Sequence, residues 1–477
     1  MSDFITYEMF GAVGDGIHDD MPAIVKAHEE ANRLHLPVKA RAGAIYYISP
    51  RDLTAAVQTP VDWTGARFII DDVDCECITA PIFHVSSTRQ PLPLQVGSMV
   101  YGQTKLDNPF GCDLHVIVTN GNHMDYIRKG LNQDNGHPRA DVFVLNADGT
   151  LSSPLSFDFD QITRVAAYPI DEETLNLTGG EFTTIANQAE SRYNYHSRNI
   201  RITRSNVEVN GVTHLVTGEK DHGAPYIGFI QLTDCARVCV RNCILTGHYI
   251  YGTIGSAGLP VPMGSYDIRV DYASSISFIN CTQTTDIHDS RYWGLISTNF
   301  CRDLTFEDCH FSRFDAHMGV SNCTLRRCRL GWQCLNAIGN GSFLIEDTEA
   351  YGDAFVNLRE DYGCTWRGDV TIRDCVWLPR GSKRAVFSGR NDGTHDFGYE
   401  CYMPNVVIDG LTVVETAADD APLYVFNDYL GSDAPAEKQA WIPIPPEKVS
   451  VRNIRTTRAI LLCEEPALMP ATLYTAE

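Results

Sequence analysis

The run Arg313-Phe314-Asp315-Ala316-His317 places three charged or titratable side chains on one parity of an alternating segment. Alternate residues of a strand share a face. A carboxyl beside an imidazole on one face is material for proton transfer. The same alternation puts Asp267, Arg269 and Asp271 outward, then Leu295, Ser297 and Asn299, then Leu335 and Ala337, then Asn357, Arg359 and Asp361. Ile268, Val270, Ile296, Met318, Val356 and Leu358 fall on the inward parity. Bordering loops add Asp221-His222, Arg291-Tyr292-Trp293 and Glu360-Asp361-Tyr362. Carboxylates, guanidinium groups and aromatic rings on an open face make a carbohydrate cleft, since sugars offer hydroxyls and apolar ring faces.

Glycoside cleavage needs one carboxylic acid and one carboxylate, about 5–5.5 Å apart for retention and 6.5–9.5 Å for inversion. Asp315 is the first candidate, with Asp267, Asp361 and Glu360 as partners and His317 tuning it. If Asp315 and Asp267 lie two coils apart, the axial offset is about 9.6 Å at the β spacing, the long end of the inverting range. Arg269, Asp271, Arg291, Tyr292, Trp293, Asn357, Arg359, Tyr362 and His222 are candidate sugar contacts. A plainer reading stands beside each: Asp267 and Asp271 as solvated carboxylates, His317 at a turn edge, Arg359-Glu360-Asp361 as a surface ion-pair cluster, Trp293 packed under a loop. Three rival functions use the same residues. A polysaccharide lyase would take His317 or Arg359 as base, with Ca²⁺ on Asp267 and Asp271; a non-catalytic module would only grip glycan; an intramolecular glycosyl transfer or isomerisation would replace water by a sugar hydroxyl. Outside the lyase reading no cofactor or metal is expected.

A repeat must position these groups. Nine segments begin at residues 199, 237, 275, 303, 322, 342, 369, 405 and 448, each alternating apolar residues before a mostly polar sixth position. Their seventh position reads Ser205, Cys243, Cys281, Cys309, Cys328, Thr348, Cys375, Leu411 and Ile454. Small buried side chains stacked in a column, free rather than disulfide-bonded, fit that pattern. Spacings fall to 19 and 20 residues at the centre, one turn of a solenoid. A second strand column interleaves at Tyr226–Thr233, Tyr266–Asp271, Trp293–Asn299, Phe314–Val320, Cys334–Gly339 and Ala354–Asp361. The arithmetic predicts an all-β fold, a right-handed parallel β-helix.

The chain reads as one domain over 1–477: a cap motif and helix in 1–45, early coils with a hairpin excursion in 70–198, regular coils in 199–458 and a tail in 459–477. Asn146-Ala147-Asp148-Gly149 supplies the hairpin turn. FGAVGDGIHDD (10–20), followed by an apolar-periodic helix over Met21–Leu34, resembles the opening motif of the pectate-lyase-superfamily β-helix proteins, which include glycoside hydrolase family 28 and phage tailspike depolymerases. The resemblance implies the fold, a carbohydrate substrate and a homo-oligomer, a trimer in many members. The Asn-Thr-Asp, Gly-His-Gly and Arg-Ile-Lys tripeptides of family 28 are absent from this chain, so the resemblance does not carry that family's catalytic residues over.

Lys and Arg number 38 and Asp and Glu 60 in 477 residues, a formal charge of −22. That excess argues against nucleic acid and, unless a cleft is locally basic, against polyanionic glycans. No apolar run is long enough to span a membrane. No basic segment leading into an apolar run opens the chain, so the expectation is cytoplasmic, or secreted if a leader has been removed.

Overall fold

A computed structural model describes residues 3–75, 79–220, 222–294, 296–380, 385–415, 421–427, 441 and 443–463, and the backbone of 474–476. Leu295, Asp221 and most of the proline-rich stretch after Pro435 lie outside the described residues. The chain winds as a parallel β-helix, and each regular coil carries three strands, not the two read from the spacing. Eight of the nine segments turn at their sixth residue, Gly410 among them at φ 91°; the segment from 199 is out of phase, with Ile200–Ile202 in the first ladder and Val207–Asn210 in the second. Asn242, Asn280, Asp308, Arg327, Asp347, Asp374 and Asn453 all take φ between 48 and 57°, the left-handed turn that Asn and Asp tolerate best. Three parallel ladders result. The first runs through Ile200–Ile202, Ile230–Thr233, Ile268–Asp271 and Ile296–Asn299. The second runs through Val207–Asn210, Ala236–Arg241, Ser274–Ile279 and Arg302–Glu307. The third runs through Thr213–Thr217, Ile244–Leu245 and Thr282–Gln283. At the centre, His310–Arg326 and Arg329–Glu346 pass through all three ladders without a break.

One continuous core fills the solenoid. Cys243, Cys281, Cys309, Cys328 and Cys375 are buried free thiols, each donating to the carbonyl two residues earlier, at 3.2–3.5 Å. The column is therefore a ladder of small side chains whose one polar atom is satisfied within its own turn.

The helix forms over Met21–Leu34. Asp19 meets the Met21 amide at 3.3 Å. Asp20 instead turns back and takes the Val13 and Gly14 amides at 2.6 and 3.2 Å, so it ties the glycine loop to the helix it precedes. The excursion is a three-stranded antiparallel sheet of Leu114–Asp125, His137–Leu145 and Arg164–Pro169. Asn146 to Gly149 makes the turn, closed by Gly149 N to Asn146 O at 2.9 Å, but His137–Leu145 takes Leu114–Asp125 as its main partner. After Asp125 the chain leaves this sheet as a strap, residues 126–136, that crosses the solenoid's first ladder.

Candidate functional site

The strap walls a groove. The Arg128 Nε donates to Asp361 Oδ2 at 2.8 Å, Lys129 Nζ to Asp392 Oδ2 at 2.8 Å, and the Ile127 amide to the Phe397 carbonyl at 3.0 Å. Between strap and first ladder lies a cleft of about 680 Å³. A second cleft of about 510 Å³ follows along the same face. They share Arg313, Arg359, Glu360 and Asp361, so the two form one elongated groove. Its walls carry six cations, Arg128, Lys129, Arg269, Arg313, Arg359 and Arg390, against three carboxylates, Asp134, Glu360 and Asp361. The lining is rich in bases, although Asp271, Asp315 and Asp392 pair from behind with Arg269, Arg313 and Lys129. Tyr193, Tyr195, Tyr266 and Trp293 supply ring surface at one end. Asn336 and Asn357, in register and bonded at 2.7 Å, supply amides at the other.

His317 lies in this groove, and a β-bulge aims it. Thr298 pairs with Ala316 and Asn299 with Met318, so His317 is the extra residue between two paired ones; bulges re-aim side chains in this way. Three groups then fix its state. Asp271 and Asn299 are register neighbours, and Asn299 Nδ2 donates to Asp271 Oδ1 at 2.6 Å. The Asn299 Oδ1 therefore faces His317 Nδ1, 2.7 Å away, and can only accept. The proton sits on Nδ1, which leaves the Nε2 lone pair without a hydrogen bond among the described residues. Burial, together with Arg359, Arg128, Arg269 and Arg313, pushes the imidazole well below the ordinary histidine value. His317 is a neutral base ringed by cations.

The carboxylate pair expected from the sequence is not assembled. Asp315 has the expected parity, away from the core residues Phe314 and Ala316, but it is fully buried under Arg313 and Arg359. Among the described residues its Oδ1 has no hydrogen-bond partner. Gly294 matters here: a Cβ at that position would collide with the Arg313 side chain that covers Asp315. Asp267 is not on the groove. It is fully buried in a separate cluster, taking His214 Nδ1 at 2.7 Å, His248 Nε2 at 3.3 Å and the Thr246 amide at 2.7 Å. Asp271 is occupied by Arg269 at 2.7 Å and by Asn299. Asp267 and Asp271 thus spend their oxygens on different partners, and the calcium pair drawn from them does not form.

Asp361 and Glu360 line both halves of the groove. Burial opposes the Asp361 charge, but Arg359 and Arg128 hold the carboxyl below its usual range, so Asp361 is a fixed anion that orients two arginines. Glu360 is exposed. Trp293, Asn357 and Arg359 line the groove. Tyr362 is buried beneath it, a platform for Arg128 and Arg359 at 5.4 and 5.2 Å from its ring centre. Arg291 is exposed and paired with Asp289, Tyr292 stacks on Tyr249, and His222 is exposed; none of the three lines the groove. Leu335 and Ala337 belong to the core, and Asn336 is the outward residue of that coil. Met318 packs not in the main core but with Tyr126, Phe300, Ile338 and Tyr362 under the strap.

Arg128, Tyr195, Arg313 and Asn299 were missed as site residues. Arg313 and Asn299 carried the right parity in the sequence. Arg128 comes from 233 residues away from its partner Asp361, and no local pattern announces it.

No family model and no curated protein matches the chain. Among solved structures it is similar to the tailspike gp61 of Pseudomonas phage phi297, with 11% identity, a TM-score of 0.55 and coverage of 98% of this chain and 84% of that one. It is similar also to the tailspike gp49 of Pseudomonas phage LKA1, at 14% identity and a TM-score of 0.51, over 96% and 82%. The Gp54 tailspike of Acinetobacter baumannii bacteriophage AP22, solved in complex with A. baumannii capsular saccharide, gives 10% identity and a TM-score of 0.57, over 99% and 79%. At these identities the likeness is one of fold: the chain is a parallel β-helix of the architecture that phage tailspikes share.

Proposed function

We propose that the chain is a carbohydrate-active enzyme that cleaves an acidic glycan by β-elimination. The observation that carries this reading is His317, kept neutral by burial and by the arginines around it, with an unprotonated Nε2 in a groove lined by arginines. A uronate carboxylate would sit among Arg269, Arg313 and Arg359, where its charge is offset and the C5–H is acidified. Nε2 removes the C5 proton. The C–H electron pair becomes the C4=C5 double bond, the C4–O bond breaks, and the departing oxygen takes a proton. Tyr195, which lines the groove as a phenol, is the candidate to give that proton, although burial and the nearby Tyr266 raise its pKa and make it a weaker acid. The low basicity of free His317 is relieved at the right moment. A bound carboxylate offsets the arginine share of that depression, though not the share due to burial, and so makes the imidazole a stronger base in the complex.

The saccharide held by the AP22 tailspike supports a glycan as the partner of this fold. Hydrolysis by Asp315 has less support, because that carboxyl is sealed beneath two arginines. A panel of oligouronates, read for new reducing ends and for the ultraviolet absorbance of unsaturated uronates, tests the reading. Both signals are expected together, and both vanish in His317→Gln. Reducing ends without absorbance would replace elimination by hydrolysis, and silence in both channels would remove the enzymatic reading.

A further inference from the structure

A separate cleft, of about 620 Å³, opens at the corner between the first and second ladders. A ridge of Tyr126, Phe300, Tyr362 and their neighbours separates it from the groove. Its floor is the end of an outward ladder, Arg302, Ser321, Asn340 and Arg367, in register on successive coils. The excursion covers the first two rungs. Arg302 pairs with Asp141 and donates to the Val142 carbonyl at 2.6 Å, and Ser321 bonds Ser156 at 2.7 Å. The last two rungs are left facing the cleft. Asn340 is only 6% exposed, yet among the described residues its side chain has no hydrogen-bond partner. Arg367 has no carboxylate partner among the described residues, although this chain has 22 more acids than bases. Its guanidinium lies between two rings, 4.0 Å from the centre of Tyr101 and 4.9 Å from that of Tyr402. Stacking holds the plane in place and leaves the N–H edges directed at something else.

The charge pattern differs from that of the groove. Arg139 is occupied by Asp125 and His123. Asp158, Asp396 and Glu400 each accept one bond, from the Tyr101 amide, the Gly398 amide and the Tyr402 hydroxyl, and each keeps further lone pairs for the cleft they line. Fixed donors and a larger number of carboxylate acceptors beside tyrosine rings are features that bind sugar hydroxyls and the apolar face of a pyranose. A uronate would meet three carboxylates here. We infer that the corner cleft is a second saccharide site, selective for an uncharged sugar unit, with Asn340 and Arg367 donating to hydroxyls, the three carboxylates accepting, and Tyr402 under the ring. If the groove takes the acidic units, as proposed above, the natural ligand is a heteroglycan of acidic and neutral sugars.

Calorimetric titration of the full chain decides this. The probes are neutral tetrasaccharides of glucose, galactose, mannose and N-acetylglucosamine, and a uronate tetramer. At least one neutral probe is expected to bind with one site per chain. Its affinity should fall at least tenfold in Arg367→Gln and in Tyr402→Ala, while Arg367→Lys, which keeps the charge and loses the stacked fork, recovers only part. His317→Gln should leave this binding unchanged. No neutral probe binding at millimolar concentration, affinity indifferent to both substitutions in protein of unaltered melting temperature, or preference of this cleft for the uronate would each overturn the inference. Failure of the groove reading shows separately, as missing unsaturated product with neutral-sugar binding intact.

Discussion

Two histidine sites in one solenoid take opposite charge states, and their neighbours decide which. His317 sits in the groove among four arginines and is pushed down. His248 is more deeply buried, at 1% exposed, and burial alone would lower it, but Glu219 and Asp267 push it up to about 10. Its Nδ1 meets Glu219 at 2.8 Å and its Nε2 meets Asp267 at 3.3 Å. Asp267 in turn is held below the usual carboxylate range by His214 and His248, against its own desolvation. Both ring nitrogens of His248 are engaged, so it has no lone pair to offer chemistry. His317 has one nitrogen engaged and one open. The comparison separates a base from a strut by counting occupied nitrogens and the sign of the nearest charges.

The sharpest way to break the contrast is to remove each imidazole's role in turn. His317→Gln should cut turnover on the uronate substrate by about 10²–10⁴-fold, the usual share of a general base, with an unchanged melting temperature. Asp267→Asn should do the reverse. It leaves buried imidazoles without their carboxylate and should cost about 3–5 kcal/mol, read as a lower denaturation midpoint, while the remaining folded protein keeps its turnover rate. If His317→Gln destabilised and Asp267→Asn only slowed catalysis, the two assignments would be exchanged. A smaller effect is expected from Asn299→Leu. Losing the bond that holds Nδ1–H, worth about 0.5–1.5 kcal/mol between neutral partners, should lower kcat roughly two- to tenfold and leave KM nearly unchanged.

The pH responses sharpen the comparison further. For His248 the folded value is raised, so its contribution to stability is complete below the ordinary histidine value of about 6.5 and is lost as pH rises through about 10. Asp267 is lowered, so its share is present above about 3.9 and lost as pH falls below that. The melting temperature should therefore decline from pH 7 to 10, and decline less in His248→Gln. At the groove, the acid limb of kcat/KM should lie below pH 6.5, because it reports free enzyme. The limb of kcat should lie higher, because bound carboxylate offsets the arginines. Coincident limbs would show that substrate does not sit among those cations.

The solenoid was legible because it is local. The left-handed residue at the sixth position recurs in eight of the nine segments, and the small residues Cys281, Cys309 and Cys328 at the seventh mark the repeat without reference to anything distant. The third strand per coil was hidden because strands such as Ile244–Leu245 and Thr282–Gln283 are two residues long, too short to alternate. Parity found Arg269, His317, Asn357 and Arg359. It misplaced Leu335 and Ala337, and it could not see that Asp267 would be drawn into the cluster with His214 and His248. The bulge at His317 depends on pairing between coils, and Arg128 arrives on a strap from the excursion. Neither leaves a periodic trace in the chain.

The central claim is the state of one ring. Nitrogen-15 NMR of histidine-labelled protein, with His317→Gln to assign the signal, reads it without any substrate. The account predicts a neutral His317 from pH 7 down to well below 6.5, with the proton on Nδ1 and a pyridine-like Nε2. An imidazolium at pH 6.5, or a proton on Nε2, would contradict it.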